Sequence, residues 1–239
     1  FQGAWVSPED LRRDGVILYL HGGGYTCGGL EYALGFGSVL ADECGAKVFC
    51  GAYRLAPENP FPAAVEDAAE AYRYLLAKGY SPSKICLCGE SAGGGLCFAL
   101  CLYLREQGLP FPGSILAISP WTDLTGAGES YETNRERDVS LSREQLAFYA
   151  KCYTDDPENP LVSPLFGDLR GMPPTLLFAG GDELLCSDSQ NLYDKLKASG
   201  CKCQLFIRPE RWHAYVLYGL AEDREDWVKI NAFFTRFLS

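Results

Sequence analysis

Short apolar runs alternate along the chain with longer stretches in which apolar residues return every three or four positions. Residues 16–20, 47–53, 85–88, 114–119, 175–179 and 204–207 have strand length and little polar interruption, and continuous apolarity over such a length belongs to strands covered on both faces. Helical spacing predicts helices over about 33–43, over 63–77, from 92 to about 106 and over 187–198, and Trp227, Ile230, Phe233, Phe234 and Phe237 mark a closing amphipathic helix. Ala4-Trp5-Val6 reads as a short edge strand. Alternation of this kind predicts an α/β fold, a mainly parallel central sheet with helices on both faces.

Residues 121–166 interrupt the alternation. They are largely polar, hold one helical pattern near 143–152, and end in the proline-punctuated Asn159-Pro160-Leu161-Val162-Ser163-Pro164. The expectation is a cap-like excursion over one end of the sheet. Nothing resembles an internal repeat, a low-complexity tract or a linker, so residues 1–239 are expected to form one domain.

Composition removes several function classes. A formal charge of -10 repels nucleic acid and anionic membrane surfaces. Eleven cysteines, most of them within apolar patterns, suit buried thiols in a reducing cytoplasm better than a disulfide framework. With two histidines and no C-x-x-C, neither a metal nor another cofactor is expected. No apolar run is long enough to span a membrane and no signal segment opens the chain, which predicts a soluble cytoplasmic protein. A homodimer is left open.

The chemistry centres on Gly89-Glu90-Ser91-Ala92-Gly93, which follows the apolar run 85–88 and precedes a helical pattern. Strand, sharp turn and helix would hold the Ser91 hydroxyl out above the sheet, with glycine two places either side because the backbone passes too close for a Cβ. A serine hydroxyl needs a base, and only His21 and His213 are available. His21 heads a glycine run whose N–H groups are its useful part, so His213, just beyond the last strand, is the expected base. Asp182 leaves the end of the 175–179 strand on the rim where such sheets place their sites. It is the expected partner of His213, ahead of its neighbour Glu183 and of Asp188, which reads as an acid favoured by a helix N-terminus. The amides of Gly23, Gly24 and Ala92 are the candidate oxyanion donors. Tyr25, Tyr32 and Trp212 are expected to line the substrate site, with Phe36 on the rim.

Together, His21-Gly22-Gly23-Gly24 and Gly89-Glu90-Ser91-Ala92-Gly93 resemble the hormone-sensitive-lipase-like family of α/β-hydrolase carboxylesterases. Tyr53-Arg54-Leu55-Ala56-Pro57-Glu58, Phe61-Pro62-Ala63-Ala64-Val65-Glu66-Asp67, Ser119-Pro120-Trp121-Thr122-Asp123-Leu124 and Asp182-Glu183-Leu184-Leu185 are also similar to that family's segments. The resemblance implies Ser91 as nucleophile, His213 as base, Asp182 as its partner and the glycine-run amides with Ala92 as oxyanion hole. Glu90 departs from the family's more frequent Asp or Thr, and is not expected to touch the chemistry. The family's N-terminal cap segment is expected to be absent. The function expected is therefore hydrolysis of small neutral esters of short acyl chains, roughly acetyl to hexanoyl, since an open site buries little of each added methylene. An amidase or peptidase on the same residues is the second reading, and a non-catalytic small-molecule receptor the third.

Overall fold

The computed structural model describes residues 1–239. Strand β1 (Gln2–Val6) is followed by β2 (Val16–Leu20), helix α1 (Leu30–Cys44), β3 (Lys47–Ala52), α2 (Ala63–Ala77), β4 (Ile85–Glu90), α3 (Ala92–Glu106) and β5 (Ser114–Ile118). Next come α4 (Ser130–Thr133), α5 (Arg143–Tyr153), β6 (Thr175–Gly180), α6 (Cys186–Ala198), β7 (Cys203–Arg208) and α7 (Arg224–Leu238). All seven strands form one sheet in the order β1-β3-β2-β4-β5-β6-β7. Only β1 runs antiparallel, on the outer edge of β3.

Every residue of β2, β4, β5 and β6 is buried, which is why these strands read as unbroken apolar runs. Successive side chains serve opposite faces. Val16, Leu18 and Leu20 join a core with Leu96 and Leu100 of α3 and Leu75 of α2, whereas Ile17 and Tyr19 join one with Leu40 of α1 and Phe234 of α7. Between β5 and β6 the excursion supplies α4 and α5, and its Tyr131, Leu146 and Tyr153 pack into the first of these cores. Phe61 N–H donates to the Tyr153 carbonyl at 2.8 Å, fastening the end of α5 to the proline-rich loop. The C-terminal ends of β2, β4, β6 and β7 then open toward the same rim, and the chemistry is found there.

Candidate active site

Ser91 sits between β4 and α3 with φ 54° and ψ -124°, a region that costs a residue with a Cβ about 1–3 kcal/mol. The turn is held by Ser91 N–H donating to the Ile118 carbonyl and Trp121 N–H donating to the Ser91 carbonyl, each at 2.9 Å. Its tightness explains the flanking glycines. A Cβ on Gly93 would lie 2.1 Å from the Leu20 carbonyl oxygen, and one on Gly89 would lie 2.3 Å from that of Gly93. No side-chain bond occupies the Ser91 hydroxyl, which faces a cavity of about 610 Å³ that His213 also lines.

His213 follows β7 on a loop fixed from several sides. Ala214 N–H donates to Ser119 Oγ at 3.0 Å, and Tyr215 OH donates to Asp226 of α7 at 2.8 Å. Arg208, at the end of β7, meets the same fully buried Asp226, with Nε 2.8 Å from its Oδ2. The carboxylate that reaches the imidazole is Glu183: its Oε2 lies 3.0 Å from His213 Nδ1, and its side chain has no solvent exposure. A carboxylate only accepts, so Nδ1 carries the proton and Nε2 is left with its lone pair toward the cavity.

Asp182 therefore does not take the place expected of it. Its N–H donates to the Arg211 carbonyl at 3.0 Å, which draws the strand end toward the histidine loop, but its side chain turns outward to the half-exposed Arg137. Adjacent residues leaving a strand project to opposite sides, and the inward one is Glu183. Asn134 holds this arrangement by donating from Nδ2 to the carbonyls of Gly181 at 3.0 Å and Glu183 at 2.9 Å. Asp188 is structural: its Oδ1 accepts the N–H groups of Thr122 and Asp123, both at 2.9 Å, tying α6 to the start of the excursion.

Opposite the imidazole lies the glycine turn after β2. Gly23 has φ 107°, open to glycine alone, and a Cβ there would fall 2.3 Å from the Cys27 carbonyl oxygen. The amides of Gly23 and Gly24 donate to no backbone acceptor, and Ala92, as the first residue of α3, has an N–H with no acceptor in its own helix. Gly23 and Gly24 line the cavity that holds Ser91, and Ala92 follows the serine directly at the start of α3. His21 is fully buried and stacks on Tyr53 with ring centroids 4.4 Å apart, with Nδ1 2.7 Å from the Gly22 carbonyl. It braces the turn and cannot reach solvent as a base would.

A family profile for the alpha/beta hydrolase fold matches residues 17–217. The crystal structure of an esterase from the bacterial hormone-sensitive lipase family superposes with a TM-score of 0.95 at 40% identity, covering 99% of this chain and 81% of that one. The chain belongs to the hormone-sensitive-lipase-like family of α/β-hydrolase carboxylesterases. An acetyl-hydrolase of Streptomyces hygroscopicus is 42% identical over 217 residues, 90% of this chain and 72% of the relative. An esterase of Acinetobacter venetianus is 35% identical over 222 residues, 90% of this chain and 73% of the relative. The structure of EstE5 soaked with p-nitrophenyl butyrate matches with a TM-score of 0.94 at 38% identity, over 99% of this chain and 81% of that one.

Within this carboxylesterase, the aromatic residues expected around the substrate divide. Tyr32 lines the cavity with Phe36. Tyr25 does not: it is 1% exposed and stacks on Tyr153 with centroids 3.9 Å apart, so it joins the excursion to the sheet. Trp212 is not among the lining residues; its ring lies edge-on to Tyr218, which is, with centroids 5.5 Å apart. The walls that sequence reasoning missed come from elements whose approach is long-range: Leu141, Gln145 and Tyr149 at α5, and Leu217 and Tyr218 just after His213. Tyr149 lies directly on Gly24, where an added Cβ would be 2.4 Å from its ring. A second hollow, of about 750 Å³, lies against Arg143, Ala147 and Lys151 of α5 and contains neither Ser91 nor His213.

Glu90 was expected to stand apart from the chemistry, yet it is 1% exposed and borders the cavity. Its Oε1 accepts Gly22 N–H at 2.6 Å and its Oε2 accepts Tyr19 OH at 2.7 Å, so it pins the glycine turn to the serine strand. Burial pushes its carboxyl up to about 7, against the downward pull of the Gly22 and Tyr19 bonds. An acid raised in this way binds its proton more tightly folded than unfolded, so its stabilising contribution is full below the ordinary carboxyl range and is lost as pH rises through about 7. Glu90→Gln should remove that contribution, and the Tm of the parent should fall more than that of the variant between pH 5 and pH 8. Parallel Tm curves for the two proteins across that interval would contradict this account.

Proposed function

We propose that the protein hydrolyses short-chain carboxylic esters through an acyl-enzyme on Ser91, with His213 as general base and acid and Glu183 as its orienting carboxylate. The observation that carries the reading is the 3.0 Å hydrogen bond from the partly exposed His213 to the buried Glu183 on the rim of the cavity into which the strained Ser91 turn projects. Ser91 Oγ attacks the ester carbonyl carbon while His213 Nε2 takes its proton, and the alcohol leaves with that proton from Nε2. Water then attacks the acyl-enzyme, gives a proton to His213, and Ser91 regains it as the acid departs. Glu183 accepts from Nδ1–H throughout, which keeps the ring in place and stabilises the imidazolium. The N–H groups of Gly23, Gly24 and Ala92 receive the negative charge that develops on the carbonyl oxygen in both steps.

Preference for short acyl groups is supported by the cavity's openness to solvent along α5, where Gln145 is exposed and Leu141 and Tyr149 are only half-buried. A methylene earns its roughly 0.8 kcal/mol only when fully covered. The acetyl-hydrolase relative and the neighbour soaked with a butyrate ester support the same range. Eleven unpaired thiols support a reducing, cytoplasmic setting; no helix is long and apolar enough to cross a membrane.

A fluorophosphonate probe should label Ser91 at one equivalent, and p-nitrophenyl esters from acetyl to dodecanoyl should give their highest kcat/KM at or below hexanoyl. Absence of labelling would favour a binding protein on this fold, and kcat/KM climbing steadily to dodecanoyl would refute the short-chain preference.

A further inference from the structure

We propose that the groove between α1 and the turn after His213 binds the alcohol portion of the ester, and that Gly35 sets the size of alcohol it admits. This rests on the reading of Ser91 and His213 as nucleophile and base. A single cavity holds Ser91, and its lining falls into two wings according to the elements that supply it. One is walled by Leu141, Gln145 and Tyr149; the other by Tyr32, Gly35, Phe36 and Val39 of α1, facing Leu217 and Tyr218. An ester carbonyl held at Ser91 sends its acyl chain one way and its alcohol the other.

Proton transfer decides which is which. The leaving alkoxide takes its proton from His213 Nε2, so the alcohol oxygen must lie beside that ring while the carbonyl oxygen faces the glycine turn. Leu217 and Tyr218 belong to the short helical turn Tyr215–Tyr218 directly after His213. The wing they wall thus begins at the base, and it receives the alcohol. The acyl chain is left the wing along α5.

Gly35 marks this wing as reserved space. Tyr32, Gly35, Phe36 and Val39 stand at i, i+3, i+4 and i+7 and share one helix face. On that face Tyr32 is 48% and Val39 40% exposed, and Tyr218 across the groove is 61% exposed. These are apolar side chains left in water that the core does not use. Glycine within a helix is destabilising and needs a reason. Gly37 has one, since a Cβ there would strike Cys50 Sγ at 2.3 Å; a Cβ on Gly35 would meet nothing within 4 Å. The fold does not require glycine at 35, but a ligand lying along the helix between two tyrosine rings does. With Glu31 and Glu90 also on the lining, the group that fits is an uncharged aryl or medium-length alkyl alcohol and not an anionic one.

Two ester series, each varying one side only, test the assignment by pH-stat: acetates of ethanol, butanol and 2-phenylethanol, and ethyl esters from acetate to octanoate. In Gly35→Leu, the ratio of kcat/KM for 2-phenylethyl acetate over ethyl acetate should fall at least tenfold. The ratio for ethyl octanoate over ethyl acetate should stay within twofold of the parent, and Tm should not drop, since leucine is the better helix former. Should Gly35→Leu fail to fold, Gly35→Ala carries the test, with a two- to threefold fall in the alcohol ratio alone. An altered acyl series with an unaltered alcohol series, or no change in either, would overturn the proposal. A parent inactive on every member of both series would instead remove the ester-hydrolase reading, and this inference with it.

Discussion

Ser91→Ala is expected to lower kcat toward p-nitrophenyl acetate by about six orders of magnitude, to the level that the oxyanion donors and binding alone sustain. The size of the effect follows from the serine's having no substitute: no other hydroxyl shares its turn. The fold should be unaffected. The turn is held by the backbone of Ser91, through the bonds to Ile118 and from Trp121, and alanine adopts the same backbone at the same cost. His213→Ala should lose about as much, and the double variant no more than either single one, because nucleophile and base act as one unit. Tm within a few degrees of the parent, together with activity at background, is the expected pair of readings. Residual kcat within tenfold of the parent in Ser91→Ala would place the nucleophile elsewhere.

The second large effect separates two adjacent acids. Glu183→Gln should cost up to about four orders of magnitude in kcat, because an amide that turns its NH₂ toward His213 favours the tautomer with Nδ1 bare and Nε2 protonated, which cannot take the serine's proton. Asp182→Asn should cost less than threefold, since that carboxylate pairs with Arg137, whose side chain is 55% exposed, and exposed pairs contribute little. Both variants keep side-chain volume, so packing does not confound the comparison. Measured side by side, a severe loss in Asp182→Asn beside a mild one in Glu183→Gln would restore the assignment that strand-end position suggested.

That comparison also shows where sequence reasoning stops. The sheet was legible because burial on both faces leaves β2, β4, β5 and β6 almost wholly apolar, with Glu90, Ser114 and Thr175 only at strand ends, and the serine turn because its glycines answer to steric contacts that any such turn must make. The rim to which Ser91, His213 and an acid converge was legible too, from strand ends alone. Which of Asp182 and Glu183 points inward was not, because a shift of one residue reverses the face, and the decision lies with Asn134, some fifty positions away, which grips the carbonyls of Gly181 and Glu183. Tyr25 misled for a similar reason. An aromatic after a glycine run reads as a rim residue until Tyr153 arrives from α5 to stack on it. Trp212, expected at the site, is not among the residues that line the cavity, although the next residue, His213, is. Glu90 was judged by its departure from the family pattern, and its two buried hydrogen bonds could not be read without knowing that Tyr19 and Gly22 lie beside it.

The clamp of Asp226 on Arg208 and Tyr215 carries a consequence for how the enzyme comes into being. A ribosome that has released the chain as far as residue 100 has delivered the nucleophile and all three oxyanion donors, but the proton acceptor is still far from the exit. Even when residue 213 emerges, its loop lacks the anchor that α7 brings afterwards. Chemical competence thus waits for α7, and a nascent or clipped polypeptide that stops before Arg224 should be silent toward esters while much of its sheet is already paired.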